Sequence, residues 1–481
     1  MATTVLHISD LHRDPGSGVT TTTLLESLRR DRDRYVAIDP ALEPDIAVVS
    51  GDIAYGVSGE DADADAKLRK QYAEAADFLI ALTNQFFDGD RERVVLVPGN
   101  HDVSHTHVLR ASEVTELPTE VAQRAMLARQ LRDPDSVWRW IWPEFKLRRI
   151  HDMSTYHRRL QPFADFYKDF YKGTRSFPIE PAAQFAVHDF AEHRLVIVAL
   201  SSCYTNDLFN RIGRIHPDCV ASATRAVDPY IKHGRVALAT WHHNLAGGPH
   251  DSDYVDADVL QSLIDGGFVI GLHGHQHRPQ YLEHRFTADR ERAISVMSAG
   301  TLCGGPSTLP TGRMRSYNLV VVDPEAKTST LHVRDMKNTM FELPVWGAAH
   351  VAEFSGSSIT FELSTSARPA SIMNSAGEAA ELLRRGDAAG AFALVRPYMQ
   401  DDLARRVGLE ALQNSGDWTM IRALFNPPRS VAEFIALADA LYELREKEEL
   451  AELIETDFAK NTKDLAIRQC VDQAQRRCGG R

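Results

Sequence analysis

Residues 93–102 read RVVLVPGNHD, an apolar, β-branched run that stops at Pro98-Gly99 and delivers Asn100, His101 and Asp102 immediately beyond. Such a run suggests a strand buried on both faces, as in the sheets of α/β proteins. Open α/β sheets carry their chemistry in the loops just past the carboxyl ends of the strands, so the polar residues after the run are the ones to follow. The pattern recurs on both sides of this stretch. VLHIS (5–9) leads into Asp10-Leu11-His12, DIAVVS (45–50) into Gly51-Asp52, RVALAT (235–240) into Trp241-His242-His243, and FVIGL (268–272) through His273 into Gly274-His275-Gln276-His277. With LVIVAL (195–200), AISVMS (293–298), YNLVVV (317–322) and TLHVRD (330–335), these runs predict an α/β region from Val5 to about Asp335.

Each motif alone is cheap, but five in this order, each following an apolar run, form a set. The series D-x-H, G-D, G-N-H-D, H and G-H-x-H resembles the calcineurin-like metallophosphoesterase superfamily, over residues 5 to about 335. The resemblance implies a four-layer αββα sandwich with two metal ions above the strand ends. It implies one ion on Asp10, His12, Asp52 and His277 and a second on Asp52, Asn100, His242 and His275, with Asp52 bridging. His101 matches the superfamily's non-ligand histidine, which stabilises charge on phosphorus or protonates the leaving oxygen, and Asp102 is expected to orient it.

The charge balance of that set stands apart from the name. Two divalent ions outweigh the two carboxylates by about two positive charges, because Asn100 and the histidines ligate as neutral groups. An anion is therefore favoured in the site, and a bridging hydroxide together with a phosphoryl oxygen supplies it. Imidazole-rich ligation favours Mn, Fe, Zn or Co over Mg or Ca, with manganese the first choice for assay.

Several neighbouring residues stay outside the catalytic set. His243, His105, His107 and His250 are read either as pocket-lining or as packing histidines, Arg13 as a structural cation or a phosphate contact, and Cys303 as a small buried thiol. Between Ser104 and about Ala186 lies a segment too long for an ordinary connection, predicted to be an inserted helical cap, about 104–186. Its stretch 124–159 carries nine basic residues against four acidic ones, interleaved with Trp138, Trp140, Trp142, Phe145 and Tyr156. Aromatic faces among cations suit stacking on a nucleotide base or a single strand, and they equally suit a subdomain that buries its rings and solvates its arginines.

At 481 residues the chain has room for two to three domains. Its 54 Lys and Arg against 66 Asp and Glu give a net charge of −12, which excludes a surface built throughout for nucleic acid but leaves room for a local basic groove. Five scattered cysteines argue against a disulfide framework or a thiolate zinc site, and no apolar run is long enough to span a bilayer. A cytoplasmic protein without a membrane role is expected.

Ser364–Gly377 reads as a linker, which puts a boundary near 370 between a metallophosphoesterase domain (1–369) and an all-α domain (370–481). In the latter, turn signals at Gly386-Asp387, Gly416-Asp417 and Glu446-Lys447 recur every 30 residues, a period that suits stacked helical hairpins; an irregular helical bundle is the other reading. Either would bind a protein partner rather than carry chemistry. Three activities fit these observations. The first is a hydrolase of small phosphodiesters or phosphomonoesters, nucleotides included; the second is a DNA or RNA nuclease acting within a complex; the third is a protein phosphatase or scaffold subunit recruited through 370–481.

Overall fold

The computed structural model describes residues 2–16, 18–133, 135–245, 253–287, 289, 292–305, 308–351, 356–364, 370–460 and 465–479. The chain divides into two compact units, Met1–Ser366 and Ala367–Arg481.

In the first unit, β1 (Thr3–Ile8), β2 (Ile46–Val49) and β3 (Val94–Leu96) run parallel. The chain then leaves this sheet, and β4 (Ser112–Thr115), β5 (Trp138–Ile141) and β6 (Lys146–Ile150) pair antiparallel in the order β4-β6-β5. Next come β7 (Phe185–Phe190), β8 (Leu195–Leu200), β9 (Val236–Thr240), β10 (Phe268–His273), β11 (Gln280–Arg285) and β12 (Ala293–Ser298), which build a six-stranded sheet in the order β11-β12-β10-β9-β8-β7. Finally β13 (Ser316–Asp323), β14 (Thr328–Met336), β15 (Trp346–Ala348) and β16 (Ser358–Glu362) return to complete a seven-stranded first sheet, where β13 pairs antiparallel with β1.

Alternation along the strands produces the layers. Val5, Ile46, Val48 and Val95 of the first sheet share one core with Ile197, Leu238, Ile270 and Leu272 of the second, so the two sheets face each other. Their neighbours one residue on point the opposite way: Leu6, Ala47 and Val94 pack with Leu24, Leu28 and Phe78 from the helices Thr21–Ile38 and Ala64–Phe86. Val196, Val198 and Ala237 pack with Val220, Leu260 and Leu263 from the helices Pro217–Lys232 and Ala257–Asp265. Because both faces are covered, the central strands lack polar alternation, and this is why they stand out in the sequence as apolar runs. The result is the αββα sandwich.

Two strands that pattern reading misses, β7 and β11, are edge strands with mixed exposure. The insertion carries the expected helices His105–Arg110, Val121–Gln130, Met153–His157 and Gln161–Phe170, but also the small β4-β6-β5 sheet. The last of those helices is no part of a cap: Phe163, Phe166, Tyr167 and Phe170 join the first unit's core, and Phe166 stacks on Tyr72 at 5.0 Å between centroids.

The second unit is helical from Ala370, so residues 370–377 belong to the helix Ala370–Arg384 and not to a linker. Helices Ala388–Val395, Asp402–Ser415, Trp418–Leu424, Val431–Glu443, Lys447–Ile454, Asp457–Lys460 and Leu465–Gly479 follow. Three of the turns share one geometry. Gly386, Gly416 and Arg445 take φ of +84°, +67° and +63°, and the amides of Asp387, Asp417 and Glu446 each bond back to the carbonyls of Leu382, Leu412 and Leu441 at 2.9–3.0 Å. Arg445 thus does without glycine what Gly386 and Gly416 do. Among the described residues, no helix is long and apolar enough to cross a membrane.

Candidate metal centre

The five loops past β1, β2, β3, β9 and β10 converge. Asp10, His12, Asp52, His275 and His277 all have left-handed backbone, with φ of 53°, 43°, 51°, 76° and 54°. For residues other than glycine this costs about 1–3 kcal/mol each and persists only where the surroundings enforce it. Such clustering at one place points to function. The neighbouring glycines follow from the same crowding: a Cβ at Gly99 would collide with the Asp52 carboxylate, and one at Gly274 with Ser9 and Asp10.

Asp52 sits between two groups of donors. On one side His12 Nε2 lies 3.7 Å from its Oδ2, and His12 Nε2 and His277 Nε2 are 3.8 and 3.1 Å from Asp10 Oδ1. On the other, His242 Nε2 lies 3.3 Å from Asp52 Oδ1 and 3.0 Å from Asn100 Oδ1, while His275 Nδ1 is 3.0 Å from that same Asn100 oxygen. Each carboxylate is braced by the backbone of another motif: the His275 amide donates to Asp10 Oδ2 at 3.1 Å and the His101 amide to Asp52 Oδ1 at 2.9 Å.

The imidazole tautomers are fixed from behind. His242 and His277 donate from Nδ1 to the Ser50 and Thr308 carbonyls at 2.8 and 2.9 Å, and His275 donates from Nε2 to Asp253 Oδ2 at 3.0 Å. Their remaining nitrogens therefore turn lone pairs toward the centre. There His12 Nε2 and His277 Nε2 lie 3.3 Å apart, and Asp10 Oδ1 is buried with no hydrogen-bond partner. Clustered ring nitrogens and an orphaned carboxylate oxygen need positive charge between them, and this donor set of imidazoles, carboxylates and an amide oxygen fits divalent transition-metal ions. Titration behaviour points the same way. Burial disfavours the imidazolium, yet Asp52 lifts His242 to about 9 and Asp10 raises His277, whereas burial pushes His12 down to about 4. Asp10 and Asp52 stay below the usual carboxylate range although burial alone would raise them, because His277 and His242 respectively lie against them.

His101 stands at the mouth, its side chain 41% exposed and its Nε2 3.9 Å from Asp52 Oδ2. Asp102 does not orient it. The Asp102 carboxylate accepts instead from the amides of Ile53, Ala54 and Gly99 at 3.1, 3.1 and 2.8 Å and from the Tyr72 hydroxyl at 3.0 Å. It ties the Gly51-Asp52 loop to the Gly99-Asn100 loop, and burial pushes its pKa up to about 6. The group that orients His101 is the Tyr55 carbonyl, which accepts from its Nδ1 at 2.5 Å. The reason is spatial: Asp102 points back under the 3-10 turn Asn100–Asp102 and meets amides before it can reach an imidazole.

The remaining residues sort by burial. Arg13 is fully buried, paired with Glu74 at 2.5 Å, and cannot meet a phosphate. His243 is buried 2.8 Å from Ser202 Oγ, its ring 4.8 Å from that of His275, and burial holds it neutral. His107 sits beside Ser104 Oγ at 2.9 Å, away from the centre, and Cys303 is a buried thiol raised by burial. His250 lies outside the described residues. His105 does line the cleft above the centre, a space of about 510 Å³ that Tyr55, His101, Asn206, Arg211 and Asp253 also border. Sequence reading gives no sign of Asp253 or Arg211, since neither follows a strand or repeats a motif.

The basic segment 124–159 divides in two. Arg139 is buried against Asp207 at 2.8 Å, Arg159 donates from the interior to the carbonyls of Cys203 and Asn206 at 3.0 and 3.1 Å, and Tyr156 is buried with its hydroxyl on Asp207 at 2.7 Å. These three anchor the cap to the 203–207 loop and are not available to a ligand.

The model of the calcineurin-like phosphoesterase family matches residues 3–279. Among solved structures, a dimetal phosphatase from Danio rerio is similar at 12% identity over 69% of this chain and 96% of its own, with a TM-score of 0.33. A Thermus thermophilus protein is similar at 11% identity over 69% and 98%, TM-score 0.29, and a Vps29 variant from Entamoeba histolytica at 10% over 75% and 99%, TM-score 0.24. No curated protein sequence matches the chain.

Proposed function

This chain belongs to the calcineurin-like phosphoesterase family, and from that premise we propose that it hydrolyses phosphodiester or phosphomonoester bonds of small or nucleotide substrates at a dinuclear centre. The observation that carries the reading is Asp52, whose two oxygens face two separate donor groups. Asp10, His12, Asp52 and His277 would hold one ion, and Asp52, Asn100, His242 and His275 the other. When bound, such ions supply Lewis acidity to a phosphoryl oxygen and lower the pKa of water.

The protein's own groups do the positioning. His101, oriented through Nδ1 by the Tyr55 carbonyl, presents Nε2 to the cleft, where it hydrogen-bonds a non-bridging oxygen or delivers a proton to the leaving oxygen. Asp102 keeps the two ligand loops in register through its backbone bonds. Arg211, exposed on the cleft wall, adds a cation for the anionic substrate. Asp253 holds His275 in the tautomer that ligates through Nδ1.

The test is a substrate panel with manganese-loaded protein: a chromogenic monoester, a chromogenic diester, cyclic nucleotides, and single- and double-stranded DNA and RNA. Turnover of at least one ester, abolished by chelation and restored by manganese, is expected. Absence of turnover across the panel with the metal bound would contradict the proposal.

A further inference from the structure

Trp142 and Phe145, on the turn between β5 and β6, are 72% and 73% exposed. Burying a large apolar side chain is worth about 1.5–3 kcal/mol, so folding alone leaves two aromatic rings without that gain at neighbouring positions. They border a cavity of about 660 Å³ whose other walls include Trp138, Trp140 and Phe209. Trp140 and Trp142 meet edge to face at 6.1 Å. Polar lining comes from Arg132, Asp133 and Asn210. Guanidinium groups lie over two of the rings, Arg149 5.6 Å from Trp138 and Arg148 5.3 Å from Phe209.

Charge supports an anionic, aromatic occupant. The chain as a whole carries −12, yet even with Arg139 and Arg159 withdrawn into the interior, basic residues of 124–159 still outnumber acidic ones. The cavity is also tied to the metal centre. Asp207, Leu208 and Arg211 border the catalytic cleft while Phe209, Asn210 and Ile212 border the cap cavity, so one loop is the wall between them. Asp207 fixes that wall by accepting from Arg139, Tyr156 and the amides of Phe209 and Asn210.

We propose that the cap cavity is a nucleobase subsite, in which the base of a nucleotide or of a single-stranded nucleic acid stacks on Trp142 and Phe145 with its phosphates along Arg132 and Arg211. Every base has a π face, so such stacking tolerates sequence, and the cations track the backbone. The link to hydrolysis rests on the phosphoesterase reading; the binding itself does not.

The experiment therefore measures binding in full-length protein kept in chelator, by tryptophan emission and by anisotropy of a labelled oligodeoxythymidylate, with adenosine monophosphate as the second arm. Either ligand should quench emission; a response to the oligonucleotide alone identifies single strands as the source, and a response to both identifies nucleotides generally. Trp142→Ala with Phe145→Ala should weaken binding by about 5- to 150-fold, and Trp142→Tyr should retain most of it. Arg132→Gln should reduce the slope of log affinity against log salt by about 1. No response to either ligand, or equal affinity in the double alanine variant, overturns the proposal even if esters are hydrolysed. Binding intact in a protein that hydrolyses no ester would count against the phosphoesterase reading alone.

Discussion

Around Asp52 the donor side chains are largely buried, braced by backbone groups and carried on left-handed residues that only a crowded frame can hold. At the tip of the cap, Trp142 and Phe145 stand largely in solvent, on the rim of a cavity that Arg132 also lines. The first arrangement fits chemistry, which needs donors fixed before the ligand arrives. The second fits recognition, where rings adapt to what lands on them and little is invested in their position. Between them runs the Asn206–Ile212 loop, so the proposed catalytic and recognition surfaces are separate in construction but adjacent in space.

Substitutions should therefore fall into unequal classes. Asp52→Asn, which removes the anion shared by both donor groups, should lower metal content and turnover together, the latter on the order of 10⁴-fold; full metal occupancy measured by elemental analysis would break the bridging assignment. His101→Ala should keep its metal and lose about 10²–10⁴-fold in turnover, and an undiminished rate would remove His101 from the mechanism.

How much of this was legible in the sequence differs between the two regions for a physical reason. The donors announce themselves because each follows a strand buried on both faces, so an apolar run and a polar stop sit side by side in the chain: VVLVP and then Gly99-Asn100-His101-Asp102. Relationships across the fold leave no such trace. That Asp102 binds amides of residues 53 and 54, that Tyr55 orients His101, and that Asp253 reaches His275 all depend on loop paths that periodicity does not encode. In the cap, composition could not separate Arg139 and Arg159, buried by partners 44–68 residues away, from the exposed Arg132. The small sheet went unread because β5 is only the four residues Trp138-Arg139-Trp140-Ile141, too short for a strand period to stand out and with an arginine on its buried face.

Smaller effects sharpen the contrast. Asp253→Asn should leave the fold intact and weaken manganese binding about 10–100-fold, as loss of an outer carboxylate behind a ligating imidazole does; calorimetric titration checks it, and an unchanged affinity would show that His275 needs no support. Arg139→Met should act on stability rather than chemistry: an unpaired Asp207 in the interior should cost about 3–5 kcal/mol in urea unfolding, and a loss under about 1 kcal/mol would mean that the cap is anchored elsewhere. Truncation after residue 366 should change turnover of a chromogenic ester by less than about twofold, since all proposed ligands lie in a unit with its own core. A larger loss would assign the helical unit a part in the site.

The most direct measurement is anomalous diffraction from crystals grown with manganese. Two peaks roughly 3.5–4 Å apart are expected, one among Asp10, His12 and His277, the other among Asn100, His242 and His275, with Asp52 between them. A single peak away from Asp52, or none at saturating manganese, would contradict the dinuclear assignment.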